Sequence, residues 1–212
     1  MKYLEIINQN DDELKLRILE HLAKNFFNYG FRNFAVVQIA NELHISKKTI
    51  YKYFRTKEEL IRTVLIKQLT VAYSEVVTII QARSNIVEKF IDLSNMVEEY
   101  FTIFNEESLK RLKYHFPQLA NYIEQFRIDR IVPLIGLLLK LGKRKNLILD
   151  MPDEIVLKVF SSALGAIAES KSDSTSKFSY HQIFRQAFNM LLNGILTKKG
   201  KQLLNYKLEV IK

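Results

Sequence analysis

Residues 36–60 read V-V-Q-I-A-N-E-L-H-I-S-K-K-T-I-Y-K-Y-F-R-T-K-E-E-L. Val36, Ile39, Ala40 and Leu43 recur at three- and four-residue intervals, the period of one helical face, and predict a short helix over 36–43. His44 and Ile45 form a tight turn, and Ser46 is a natural N-cap for a second short helix through Phe54. At about 100° per residue Ile50 and Phe54 fall about 40° apart, so both face inward, while Lys48 and Lys52 lie on the opposite side beside Thr49 and Tyr51. From His44 to Lys57 the cations Lys47, Lys48, Lys52, Arg55 and Lys57 occur without one acidic residue. A helix that hides two apolar anchors and displays cations, a hydroxyl and phenols suits a major groove, where Thr meets thymine methyl groups and Lys reaches guanine acceptors or phosphates.

Upstream, Leu14, Ile18, Leu22 and Phe26 predict a longer helix over about 13–29, with Asn10 and Glu13 as a capping box and Gly30 as its stop. Two short helices joined by a tight turn and stacked on a longer one constitute a helix-turn-helix unit. Downstream, Thr56 and Glu59 open a helix that continues to about Ala82. Further helices are expected near 85–104, 106–114, 117–143, 153–170 and 179–197, with Pro133 kinking the third of these. The serine-rich run 170–179 reads as an exposed loop. The chain is thus expected to be all-α, with about nine helices. An N-terminal three-helix DNA-binding domain over 1–57 would precede a helical bundle over 58–212.

Composition fits this reading. With 212 residues, 48% hydrophobic, only 6 Gly and 3 Pro, the chain can bury a sizeable core in long helices with short connections. The absence of Cys excludes disulfides, thiolate nucleophiles and Cys-based metal sites. The net charge of +9 is partly accounted for by Lys140, Lys143, Arg144 and Lys145 and by the tail after Lys198. No signal-peptide pattern opens the sequence, and Ile131–Leu141, read as the most apolar stretch, is too short to span a bilayer, so a cytoplasmic protein without a membrane partner is expected. His21, His44, His115 and His181 have no metal-ligand spacing, and neither a phosphate-binding glycine loop nor a nucleophile elbow occurs, so neither enzyme chemistry, metal nor cofactor is expected.

The spans I-L-E-H-L-A-K-N-F-F-N-Y-G-F and I-A-N-E-L-H-I-S-K-K-T-I-Y-K-Y-F-R-T-K-E-E-L resemble the N-terminal domain of the tetracycline-repressor (TetR) family of bacterial transcription regulators. Gly30, Ile39-Ala40, Ser46, Thr49, Tyr51, Phe54 and Lys57-Glu58 fall in register with it. The resemblance implies that Thr49 approaches bases, that Tyr51 and Tyr53 hold phosphates, and that Lys57 caps a phosphate from the start of the fourth helix. Two positions depart from the family pattern. Phe34 and Ala35 stand where a Ser or Thr caps the second helix, a loss of about 1 kcal/mol unless Asn33 substitutes. His44 stands where the turn usually has Gly.

For the rest of the chain the resemblance implies a helical domain that dimerises and commonly encloses a small-molecule pocket. Tyr100, Phe101, Phe104, Phe116, Tyr122, Phe126 and Phe160 are the aromatic candidates for lining it, with an apolar or amphipathic effector as their guest. Small residues such as Ala163 and Ala166, together with Ile167, and the stripe Phe188, Leu191, Leu192 and Ile195 are the candidates for the dimer interface. The function expected is a homodimeric regulator, a repressor relieved by a small molecule, reading a palindromic operator in double-stranded DNA. The alternative is a DNA-binding or helical interaction module of the same fold that acts through a protein partner.

Overall fold

A computed structural model describes residues 13–23, 36–103, 106–170 and 177–210. All regular structure there is helical: α1 (13–23), α2 (Val36–Glu42), α3 (Lys47–Tyr53), α4 (Lys57–Gln81), α5 (Ile86–Ile103), α6 (Glu106–His115), α7 (Pro117–Phe126), a π-helical segment (Arg127–Ile131), α8 (Val132–Arg144), α9 (Asp153–Ser170), α10 (Tyr180–Ile195) and α11 (Lys198–Val210). The expected Asn10 cap, Gly30 stop, residues 33–35 and loop residues 171–176 lie outside the described residues.

The chain forms two compact units. The first comprises residues 1–71 and 107–122, the second 72–106 and 123–212. In the first, Ile18, Leu22, Ile39, Ile50, Phe54, Leu60, Ile61 and Leu65 are fully buried side chains. Polar ties fix α1 against the α2–α3 turn: Arg17 Nη2 donates to the Leu43 carbonyl at 2.9 Å, and the His21 imidazole pairs with the Glu42 carboxylate at 2.6 Å. The core of the second unit joins Val76, Val87, Phe90 and Leu93 to Leu138, Leu139, Val156, Leu192, Ile195 and Leu204.

Helix starts follow the capping chemistry. Ser46 caps α3, and Thr56 accepts from the Glu59 amide at 3.0 Å. Asn85 and Glu88 cap each other at α5, and Ser179 with Gln182 forms a complete box at α10. Helix ends are equally specific. At α2 the amides of His44 and Ile45 donate to the carbonyls of Asn41 (3.1 Å) and Ala40 (2.9 Å), the paired bonds of a Schellman stop, with His44 at φ 54°. Asn146, at φ 55°, ends α8 in the same way. Since the left-handed region penalises branched side chains most, His44→Val is expected to destabilise the protein by about 1–2 kcal/mol, read as a lowered midpoint in urea.

Three features differ from the sequence reading. The helix expected over 117–143 is interrupted by a π-helical segment that ends at Ile131, two residues before Pro133, which lacks the N–H needed for an unbroken α ladder and sits in the first turn of α8. Residues 198–210 form a further helix instead of a tail. Finally, α4 and not Ile131–Leu141 is the helix of spanning length. It has 25 residues and an 18-residue window of mean hydropathy 1.4, so by length and composition alone it could cross a membrane, although Leu60, Ile61, Val64, Leu65 and Val76 pack in the cores.

Candidate nucleic-acid interface

The geometry of α3 is set from its first residue. Ser46, in extended conformation, accepts from the Thr49 amide at 2.9 Å, and the two hydroxyls lie 2.7 Å apart, so the Thr49 side chain is held by the cap. Ile50 and Phe54 are 0% and 1% exposed, which fixes the rotation of the helix. Lys47, Lys48 and Lys52 are then exposed, and Thr49, Tyr51, Tyr53 and Lys57 are half-buried. The phenols are not loose: Lys47 Nζ lies 5.8 Å from the Tyr51 ring centroid and Lys52 Nζ 5.5 Å from that of Tyr53. Such cation–π pairing helps to order the two lysine side chains. The face brings together cations, aromatic hydroxyls and one positioned threonine on a short rigid helix, a chemistry for phosphate and base-edge contact.

The aromatic candidates in the remaining chain do not form one described cluster. Phe116 and Tyr122 belong to the first unit, whereas Tyr100, Phe126 and Phe160 belong to the second. Phe104 and the side chain of Phe101 lie outside the described residues. Phe126 meets Tyr73 edge-on at 6.2 Å, and Phe160 meets Phe188 edge-on at 5.9 Å against the second unit's core. Tyr100 carries a perturbed phenol: burial and the Glu75 carboxylate, which accepts its hydrogen bond, push it up to about 12. Glu75 was not signalled by the sequence, because a lone glutamate on a long helix looks like any solvated one.

The interface candidates divide by burial. Ile167, Leu192 and Ile195 are buried within the protomer and Phe188 packs against its core, so these four stabilise the fold itself. Ala163 and Leu191 are half-buried and Ala166 is exposed. The apolar side chains that α9 and α10 leave in solvent are others: Ile155 (51% exposed), Val159 (48%) and Met190 (75%). Ile155, Val159, Ser162 and Ala166 follow one another at i, i+4, i+7 and i+11, a second face of α9 that sequence reading merged with its buried one. Gly165 and Gly194 have open space where a Cβ would stand. Beneath α10, the buried Glu98 carboxylate accepts from Arg185 Nε at 3.1 Å on both oxygens and from His181 Nδ1 at 2.7 Å.

Residues 18–64 match the family described as bacterial regulatory proteins, tetR family. No curated protein matches the chain. Among solved structures, a transcriptional regulator from Saccharomonospora viridis in complex with choline is similar at a TM-score of 0.75 and 15% identity, over 88% of this chain and 100% of the other. A transcriptional regulator from Cytophaga hutchinsonii gives 0.70 at 19% identity, over 87% and 99%. The ketosteroid transcriptional regulator KstR2 of Mycobacterium tuberculosis gives 0.59 at 19% identity, over 86% and 94%. At these identities the structures show a shared fold, and residues 18–64 carry the family's own sequence. Residues 18–64 are thus identified as an N-terminal domain of the bacterial regulatory proteins, tetR family, and the chain as a whole shares the all-helical fold of these regulators.

Proposed function

We propose that the protein is a cytoplasmic, homodimeric repressor of transcription that reads a palindromic operator through α3 and is released by a small apolar or amphipathic effector. The observation that carries this reading is the face of α3, where Lys47, Lys48, Thr49, Tyr51, Lys52 and Tyr53 are presented by a helix whose rotation is fixed by buried Ile50 and Phe54. Lys57, at the first position of α4, adds a cation at a helix N-terminus, where unpaired amides also attract phosphate. Residues 1–57 are the DNA-binding part and 58–212 the effector and dimerisation part.

Dimerisation uses α9 and α10. The candidates Ala163, Ala166 and Leu191 contribute together with Ile155, Val159 and Met190, whose exposure in the single protomer is what an isologous contact would remove. Two α3 helices related by a two-fold axis would enter successive major grooves. The effector acts by binding one dimer geometry more tightly than the other, which is the condition for any ligand to shift the equilibrium. Tyr100 with Glu75, and Phe126 with Tyr73, are the aromatic and polar groups of the second unit that would meet it. Proteins of the same fold named for ketosteroids or solved with choline support a small-molecule effector.

The test is fluorescence-anisotropy titration of the protein on its own upstream intergenic DNA against scrambled DNA at about 50 and 200 mM salt. A specific site that keeps its advantage at both salt concentrations is expected. Lys48→Ala should weaken binding to every duplex and lower the salt slope by about 1, and Tyr51→Ala should weaken operator binding by about tenfold or more. Unchanged affinity in both variants would remove α3 as the reading helix.

A further inference from the structure

In the second unit the α8–α9 and α10–α11 connections cross. The Thr197 amide donates to the Leu147 carbonyl at 3.0 Å and its hydroxyl to the Asn146 carbonyl at 2.8 Å, while the Leu149 amide donates to the Ile195 carbonyl at 2.8 Å. This crossing sets the basic end of α8 beside the basic start of α11. Lys140, Arg144 and Lys145 come from the first, and Lys198, Lys199 and Lys201 from the second; all six are exposed.

The two halves differ in how easily they are explained. Cations at the end of α8 complement the helix dipole, as expected of a solvated terminus. Those at the start of α11 oppose it, and no acidic residue stands in that first turn to compensate. Nearby carboxylates do not neutralise the group. Asp153 is taken by Lys143 at 2.6 Å, Asp150 lies 4.0 Å from the same ammonium, Glu154 is the remaining acid of the α9 start, and Asp92 of α5 acts on the buried Lys89, which Lys145 also approaches. Among the described residues none of the six cations has a carboxylate at ion-pair distance. Like charges held within about a Debye length, roughly 8–10 Å at physiological salt, act together on a polyanion.

We propose that this patch is a second DNA-binding surface, independent of sequence, that holds the phosphate backbone of a duplex. Five of its six cations are lysines, point charges on flexible stems that attract phosphate without demanding a particular geometry. A lipid surface is the poorer match, since within 137–151 and 196–201 only Leu137 and Leu149 are exposed large apolar side chains, too few for an inserting face. The proposal does not require α3 to read an operator. It would, however, let an operator-bound dimer engage a second stretch of the same DNA.

The experiment uses the full chain carrying Lys48→Ala and Tyr51→Ala, with and without the added patch changes Lys140→Gln, Arg144→Gln, Lys145→Gln, Lys198→Gln, Lys199→Gln and Lys201→Gln. Both proteins are titrated on a random-sequence duplex at about 50 and 200 mM salt, and thermal melts check that the exposed substitutions leave the fold intact. With an intact patch, binding should persist and fall roughly 10³-fold between the two salts if all six cations engage. Loss of at least about a hundredfold in affinity at low salt on removing the patch supports the proposal. Equal binding by the two proteins, no binding by either, or binding to phosphatidylglycerol vesicles but not to duplex would overturn it. Failure of the operator reading appears separately, as an operator affinity that Lys48→Ala and Tyr51→Ala leave unchanged.

Discussion

Phe54→Ala is expected to cost about 3–5 kcal/mol of stability and to abolish DNA binding, although Phe54 touches no DNA in the proposed reading. The ring is 1% exposed and ends α3, where its amide donates to the Ile50 carbonyl at 3.0 Å. Lys15 lies above it at 6.0 Å from the centroid, so it also connects α3 to α1. A helix of seven residues cannot hold itself in water, and its two buried anchors supply what its own hydrogen bonds cannot. Truncating the larger anchor leaves a cavity and frees the helix to rotate. Chemical denaturation followed by helical circular dichroism should show the loss, and a Phe54→Leu variant, which retains most of the apolar volume, should recover much of it. If Phe54→Ala melted like the wild-type protein, Ile50 alone would have to be orienting α3.

Gly200→Ala is expected to be nearly as damaging, at about 2–3 kcal/mol, for the opposite reason. Alanine is ordinarily the better helix residue by about 1 kcal/mol, so propensity alone predicts a gain. Here a Cβ would overlap the Leu147 carbonyl oxygen and stand 2.9 Å from Leu196 Cδ2. A backbone carbonyl cannot swing aside as a flexible side chain can. That carbonyl also accepts from the Thr197 amide, so moving it breaks the crossing between the two connections. The measurement is the thermal midpoint of Gly200→Ala beside Gly165→Ala, whose Cβ meets open space. A stabilised Gly200→Ala would show that the crossing yields easily.

Among the described residues, helix positions were legible wherever a cap announced them. Ser46, Thr56, Asn85 and Ser179 each satisfy amides that the helix itself leaves open, and their side chains are the same ones seen in the sequence. The rotation of α3 was legible because two apolar residues four apart leave one choice of inner face. The start of α11 was not, since K-K-G-K combines a residue that weakens helices with charges that oppose the dipole; the segment is held by Thr197 and by packing of Leu204 in the core. The π-helical segment was likewise hidden, because Pro133 announces an interruption without fixing its kind. For α9 and α10 the apolar pattern covers more than one face. Burial alone separates Leu192 and Ile195 from Met190, and burial depends on neighbours distant in the chain.

Among the described residues the two left-handed helix stops use histidine and asparagine, while Gly142 and Gly200 sit where a side chain would strike Ile148 or Leu147. Glycine at either stop would ease the backbone, yet it would also multiply the conformations open to the denatured chain. The side chains of His44 and Asn146 therefore offset part of their own strain by narrowing the ensemble from which the protein folds. Of the five described glycines, Gly142 and Gly200 stand where space is lacking, while Gly136, Gly165 and Gly194 meet open space, and none of the five serves as a left-handed stop. These two sharp bends are held by residues whose cost in the native state is partly returned as lost disorder elsewhere.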